Sequence, residues 1–455
     1  MAQFDLVILG GGSGGYACAL RSAQLGLSVA LIEADKVGGT CLHKGCIPTK
    51  ALLHTAEIAD GARESARFGV KSTFEGIDMA GVNSYKDGVV SRLHKGLEGL
   101  IKSRNITYIQ GHGKLVSKDT IEVNGESYTG KNIVLATGSF AKTLPGLEID
   151  GAQIITSDHG TKMDYLPKSV IVLGGGVIGC EFASLWKSFG AEVTILEGLP
   201  HLIALEDESS SKQLERAFRK RGINFELGTF FNSVSKTQDS VTVTLENGKT
   251  FTAEILMVSV GRGPVSANLG YEEAGITMER GYVLVDNKCR TNIAGIWAVG
   301  DLIPTLQLAH VGFAEGMLVA EEIAGLNPSP INYDGIPRIT YSDPEVASVG
   351  LTTAQAKKRG HDVVELTYDL AGNGKAQILN TAGSIKLIAE RDGPILGVHM
   401  VGARVGELLA EAELIFNWEA RAVDVASLIH AHPTLSEAMG EAHMALAGKP
   451  LHAHG

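Results

Sequence analysis

The chain opens on an apolar run, "FDLVILG", that starts at Phe4 and stops at Gly10. A helix-like segment follows, "SGGYACALRSAQLGL", and then a second apolar run that ends on Glu33. The same order returns from Ser169: "SVIVLGGG", a helix-like "VIGCEFASLWKSFG", and "AEVTILE" ending on Glu197. Each copy reads as strand, helix, strand. In each, glycines punctuate the first turn: Gly10, Gly12 and Gly15, then Gly174, Gly176 and Gly179. Glu33 follows Gly12 at the same distance as Glu197 follows Gly176. One such copy could serve only tight strand-to-helix packing. Two matched copies, each with an acid on schedule, predict two related Rossmann-like units that bind dinucleotides. The glycines let the backbone approach a pyrophosphate at a helix N-terminus, and the acid accepts ribose hydroxyls.

The repeat extends further. Asn124-Gly125 precedes a strand expected to end at Gly138, and Asn247-Gly248 precedes one expected to end at Gly261, with equal spacing. Asn-Gly between alternating segments predicts a two-residue hairpin turn. The first unit is the longer, and its extra piece contains "GGTCLHKGCIPTK" with Cys41 and Cys46. A third apolar run, "IAGIWAVGD", ends in Gly300-Asp301 and by itself is an ordinary strand and turn.

Composition narrows the class. At 455 residues the chain exceeds one ordinary core, and 44% hydrophobic with 20% charged residues is globular usage. A net charge of −11, with no basic cluster, argues against nucleic-acid binding. No secretory signal precedes the first strand, and no apolar run is long enough to span a bilayer, so no membrane role and a cytoplasmic location are expected. Two nucleotide sites suggest one cofactor held for chemistry and one exchanged. At the second, Glu197 and the arginine-free, acidic stretch after it favour NAD over NADP. The basic residues Arg219 to Arg221 read as a solvated helix face.

In the cytoplasm a disulfide is more often catalytic or redox-sensing than structural. Zinc would need two further ligands; His43 and His54 match no zinc spacing, so no metal is expected. Cys18, Cys180 and Cys289 read as small buried hydrophobes. "CIPTKALLHTAEIAD" looks like a helix start with Pro48 in its first turn, where a thiol pKa is lowered. The pair then reads as a dithiol–disulfide relay, one sulfur toward a partner and the other toward an electron acceptor. Such a relay needs a base. "IHAHPTLSEAMGEA" offers His432 with Glu437 to orient it, and His430 as a weaker candidate. Thr434 and Glu437 also have capping-box spacing, so the acid could cap, orient, or do both. The tail "GKPLHAHG" reads as an exposed terminus.

Together, "GGTCLHKGCIPTK", "IVLATGS", "AVGD" and "HAHPTLSEA" make the chain resemble the class I pyridine nucleotide-disulfide oxidoreductases over nearly its whole length. The resemblance implies FAD in the first unit, against Gly10, Gly12, Gly15, Glu33, Lys50, Gly113, Asp301 and Ala309, with Lys50 ion-paired to Glu181. It implies NAD against Gly174, Gly176, Gly179, Glu197 and Gly261. It further implies a homodimer in which His432 faces the partner's disulfide, with Cys41 meeting substrate and Cys46 facing the flavin. The implied substrate is dihydrolipoamide on the lipoyl domain of a 2-oxo acid dehydrogenase complex or glycine cleavage system. Another disulfide is the alternative. His43-Lys44 departs from the family's Asn-Val inside the disulfide loop, and Cys180 from an aliphatic. The expected fold is α/β: an FAD unit at 1–147 with 270–337 returning to it, an NAD unit at 148–269, and an α+β dimerisation unit at 338–455.

Overall fold

The structure, a computed structural model, describes residues 2–452. Two parallel sheets form on the two glycine repeats. In the first, Ala2–Leu9 lies between Val29–Glu33 and Glu126–Leu135 and runs parallel to both. Leu6, Val7, Ile8, Leu31 and Ile32 are fully buried. Both faces of this sheet are covered, which is why the runs do not alternate. Thr107–Gln110 extends one edge, and the antiparallel strands Thr120–Val123 and Gly113–Ser117 extend the other. In the second sheet Ser169–Leu173 lies between Glu192–Glu197 and Ile255–Val258, with Asn224–Leu227 and Ile154–Thr156 outside, all parallel.

The two copies diverge at their hairpins. Asn124 and Gly125 take positive φ (53° and 83°) and close a two-residue turn, with Val123 facing Glu126. Asn247-Gly248 instead sits in a wider loop closed from Leu245 N–H to the Lys249 carbonyl. In the first unit one strand, Glu126–Leu135, serves both hairpin and parallel sheet. In the second these tasks are split. Thr250–Ala253 joins a separate three-stranded antiparallel sheet, and Ile255–Val258 enters the parallel one. Both parallel strands stop short of the expected Gly138 and Gly261. The chain leaves the ladder there to arch over the glycine turn. A Cβ on Gly10 would stand 2.2 Å from the Ala136 carbonyl oxygen, and one on Gly174 would stand 2.4 Å from that of Ser259.

Ile296–Ala298 lies after the second sheet in sequence but pairs, parallel, with Glu126–Leu135 of the first. The helix Ala309–Ile323 then packs along Ser13–Gln24. The last sheet is antiparallel, in the order Arg338–Thr340, Glu345–Gly350, Ile395–Gly402, Ser384–Glu390, Val363–Asp369. Helices Val405–Asn417 and Glu437–Leu446 cover it. A buried ion pair, Lys386 Nζ to Asp207 Oδ1 at 3.0 Å, ties this sheet to the second unit. The architecture is α/β, two related Rossmann-like units with a C-terminal α+β unit. No described helix is long and apolar enough to cross a membrane.

Cys18, Cys180 and Cys289 are buried, as small hydrophobes should be. The basic face at 219–221 needs correction. Arg219 and Lys220 are exposed, but Arg221 turns inward and its side chain is only 19% exposed. Serine, aspartate and carbonyl acceptors from neighbouring elements draw it in.

Candidate active site

The two glycine turns have the same construction. Gly12 and Gly176 cap the helices Ser13–Gln24 and Val177–Phe189 with no side-chain bond to the free N–H groups. A Cβ on Gly15 would lie 1.8 Å from the Gly10 carbonyl oxygen, and one on Gly179 would lie 1.9 Å from that of Gly174. Those glycines are required by the protein's own packing. The middle glycines are not. A Cβ on Gly12 would meet only Gly39 Cα at 4.0 Å, and one on Gly176 would meet nothing. An unfilled space faces an uncapped helix N-terminus in each unit, which fits a pyrophosphate. The acids are oriented alike. Glu33 Oε2 accepts from Gly11 N–H at 2.6 Å and Glu197 Oε2 from Gly175 N–H at 2.6 Å, while Oε1 of each takes an N–H two residues on.

Other residues of the implied flavin set are spread around the first unit. Asp301 accepts from Ser139 Oγ at 2.5 Å. Ala309 begins its helix, whose first turn has no side-chain cap. Between them Gln307 holds a buried amide nitrogen with no partner among the described residues, a donor that a bound polar group would satisfy. Gly113 is accounted for by packing, because a Cβ there would stand 2.6 Å from Leu9 Cδ1. Gly261, at φ 103°, has open space around it. Sequence reasoning missed Glu315. It is fully buried, and it accepts from Gly300 N–H (2.6 Å), Thr305 Oγ1 (2.8 Å) and Tyr333 hydroxyl (2.9 Å). It thereby fixes the turn that carries Asp301.

Cys41 lies in the short helix Gly39–His43, and Cys46 is the first residue of Cys46–Glu64. Both are free thiols. The neighbouring Cys46 holds the Cys41 thiol far above its ordinary range, with burial adding to this. Cys46 is the thiolate side of the pair. The neighbouring Cys41, and then the Lys50 charge, outweigh burial and bring Cys46 down to about 7. Lys50 is one turn into the same helix, and its Nζ contacts Glu181 at 2.8 and 2.9 Å. Burial alone would depress the Lys50 ammonium, but Glu181 more than offsets it. Two neighbours had no sequence signal. Tyr341 places its ring 4.7 Å from Lys50 Nζ and donates its N–H to Glu181 Oε1 at 3.0 Å. Tyr16 has its hydroxyl pushed up to about 12 by burial and then by the charges of Cys41 and Cys46.

The unusual His43-Lys44 turns away from the thiols. His43 Nε2 is 2.9 Å from the Val37 carbonyl, its ring stands edge-on to His94 at 4.9 Å, and Lys44 reaches Asp35 at 3.3 Å.

His432 Nδ1 is 2.8 Å from Glu437 Oε1. Glu437 Oε2 also accepts from Thr434 N–H at 2.7 Å, and Thr434 Oγ1 accepts from Glu437 N–H at 3.3 Å. The acid therefore both caps and orients. The imidazole is 78% exposed, with no hydrogen bond to either active cysteine of its own chain. His430 is instead half-buried and paired with Glu411 at 2.7 Å. Of the tail histidines, His452 is tied to Glu441 at 2.7 Å, and His454 lies outside the described residues.

Comparison with known proteins agrees with this geometry. Residues 4–316 match the model of the pyridine nucleotide-disulphide oxidoreductase family, and residues 336–443 match that family's dimerisation domain. The dihydrolipoyl dehydrogenase of Bacillus subtilis is 42% identical, over 99% of both chains. The crystal structure of LpdA from Mycobacterium tuberculosis superposes with TM-score 0.91 at 26% identity, covering 98% of this chain and 100% of that one. The HOCl-induced flavoprotein disulfide reductase RclA of Escherichia coli, solved as a Cu(II) complex, gives 0.89 at 27%, over 98% and 100%. The dimerisation domain supports a homodimer, and the family binds FAD and NAD(P). With its paired nucleotide cradles, its thiol pair at a helix start and its dimerisation domain, the chain belongs to the pyridine nucleotide-disulphide oxidoreductase family and is a flavoprotein disulfide oxidoreductase.

Proposed function

We propose that the protein oxidises dihydrolipoamide to lipoamide and passes the electrons to NAD, acting on the lipoyl domain of a 2-oxo acid dehydrogenase complex or glycine cleavage system. The chemistry is carried by one observation: Cys41 and Cys46 meet at a helix start, and the Lys50–Glu181 ion pair lies one turn into that helix. The substrate is supported by the full-length likeness to a dihydrolipoyl dehydrogenase.

In this reading His432 of one subunit, oriented by Glu437, takes a proton from a substrate thiol. The thiolate attacks Cys41 Sγ of the Cys41–Cys46 disulfide, and the S–S bond breaks to release Cys46 as thiolate. The second substrate thiol, deprotonated in turn, attacks its own sulfur in the mixed disulfide. Lipoamide leaves, and the departing Cys41 sulfur takes up one of the two substrate protons from His432, the other passing to solvent. FAD, if bound in the first cradle, would supply the two-electron acceptor between the thiol pair and NAD. Gly12 and the helix behind it would hold its pyrophosphate, and Lys50 would supply positive charge beside it. Gly176 and Glu197 would hold NAD.

The FAD-loaded protein is expected to reduce NAD rapidly with dihydrolipoamide and to reduce NADP at least about a hundredfold more slowly, because the 2′-phosphate would face the Glu197 carboxylate. Comparable rates, or turnover only with other dithiols, would overturn the assignment. RclA-like reductases provide the competing reading, so other disulfides belong in the same assay. Glu197→Gln removes the charge while keeping an acceptor. It should cut the NAD-to-NADP ratio of kcat/KM by about tenfold. An unchanged ratio would mean that Glu197 does not read the ribose.

A further inference from the structure

Arg221 follows the helix Glu208–Lys220 of the second unit. Its Nη1 donates to Ser184 Oγ at 2.7 Å and to the Asp343 carbonyl at 2.9 Å. Its Nη2 donates to Ser188 Oγ at 2.7 Å and to Asp60 Oδ2 at 3.3 Å, and Nε lies 3.4 Å from Asp343 Oδ2. The acceptors are also linked to one another. Ser188 Oγ donates to Asp60 at 2.5 Å, and Asp343 N–H donates to Ser184 Oγ at 3.0 Å.

These partners come from three separate elements, and each element also carries one member of the group beside Cys46. Asp60 is on Cys46–Glu64, the helix that bears Lys50. Ser184 is on Val177–Phe189, one turn after Glu181. Asp343 follows Tyr341 in the strand-to-turn segment that donates to Glu181. The guanidinium thus holds together the three elements that carry Lys50, Glu181 and Tyr341. An exposed ion pair contributes little. A half-buried planar fork with several fixed acceptors defines geometry, and a lysine cannot reproduce it.

We propose that Arg221 is a positioning residue for the thiol site: it clamps the three elements so that Lys50, Glu181 and Tyr341 stay in register beside Cys46. The inference rests on Cys46 working as a thiolate. Its test uses neither dihydrolipoamide nor NAD, so it can fail without the substrate assignment failing.

The measurement is the pH titration of the ultraviolet thiolate band in FAD-loaded Cys41→Ser protein. Cys46 is then the one titrating thiol, because burial holds Cys18, Cys180 and Cys289 far up. Cys41, Lys50, Glu181 and Tyr16 are the titratable groups that face Cys46; the first is replaced, and the Tyr16 hydroxyl is pushed up to about 12. Adding Arg221→Met should raise the midpoint by about half a pH unit or more, which is about threefold less thiolate below it. Arg221→Lys should shift it nearly as far, since the charge remains and the fork is lost. Ser184→Ala, which removes one leg of the clamp, should shift it in the same direction by less. It serves as the second test if Arg221→Met does not fold. An unshifted midpoint in a folded variant overturns the proposal. So does full rescue by lysine, which would assign the effect to charge alone.

Discussion

Cys46→Ser is expected to lower dihydrolipoamide oxidation by at least about 10⁴-fold while leaving FAD bound and the melting temperature within a few degrees of the parent. The reason lies in the pair itself. In the reduced protein Cys46 is the more acidic thiol of the pair, and the Lys50 charge beside it contributes. Serine can fill the space, but it cannot form the disulfide that the substrate thiolate must break. The residual rate would be that of a bound but unreactive dithiol. Cys46 begins its helix with Gly45 as cap, and its side chain carries none of the buried apolar packing that stabilises that helix, so the fold should not suffer. The checks are steady-state turnover, flavin absorbance and thermal unfolding on the same sample. Activity above one part in about a hundred would mean that electrons bypass the pair, and the relay would be wrong. The wild-type reduced protein offers a companion reading. Reactivity of Cys46 toward an alkylating agent should be lost only as pH falls through about 7, lower than for an ordinary thiol.

Much of this was legible from local pattern. The glycine turns announce themselves because each needs glycine for steric reasons a few residues apart, as the short Cβ distances at Gly15 and Gly179 show. The acids were legible because strand length fixes where the chain next meets the turn. The cysteine pair was legible because its chemistry is local to one loop. What escaped was assembled from distant segments. Tyr341 reaches Lys50 from the last unit. Glu315 reads as one more acid on an amphipathic helix, yet it is the buried acceptor for Gly300, Thr305 and Tyr333. Arg221 sits in a basic run and gives no hint of being inward-facing; its acceptors lie on three elements that only the fold brings together. Glu437 was ambiguous for the opposite reason. Capping and orienting demand the same spacing, and the carboxylate's two oxygens divide the tasks. The hairpins show the limit of repeat logic. Both copies carry Asn-Gly, but only the first closes a two-residue turn.

His432→Gln is expected to reduce turnover by about 10²–10⁴-fold, the usual contribution of a positioned base. Glu437→Gln should cost less, about tenfold, because the amide keeps an acceptor for the Thr434 N–H and the imidazole loses only its charged partner. Burial would raise the Glu437 pKa, but the Thr434 N–H and His432 outweigh it and hold it below the ordinary value. The carboxylate therefore takes up its proton at a lower pH than an ordinary glutamate does. The exposure of His432 bears on where it acts. His432 is exposed in its own chain, and in the proposed mechanism the dimer sets it beside the thiols of a second copy. That placement is testable by complementation. Cys41→Ser and His432→Gln chains are each inactive as homodimers. In a mixed dimer whose sites are shared, one site pairs the intact Cys41 with the intact His432, and the other has neither. Random mixing makes half of the dimers mixed, so activity should return to about a quarter of the parent value. If each chain instead completes its own site, every site in the mixture lacks one group, and co-expression restores nothing.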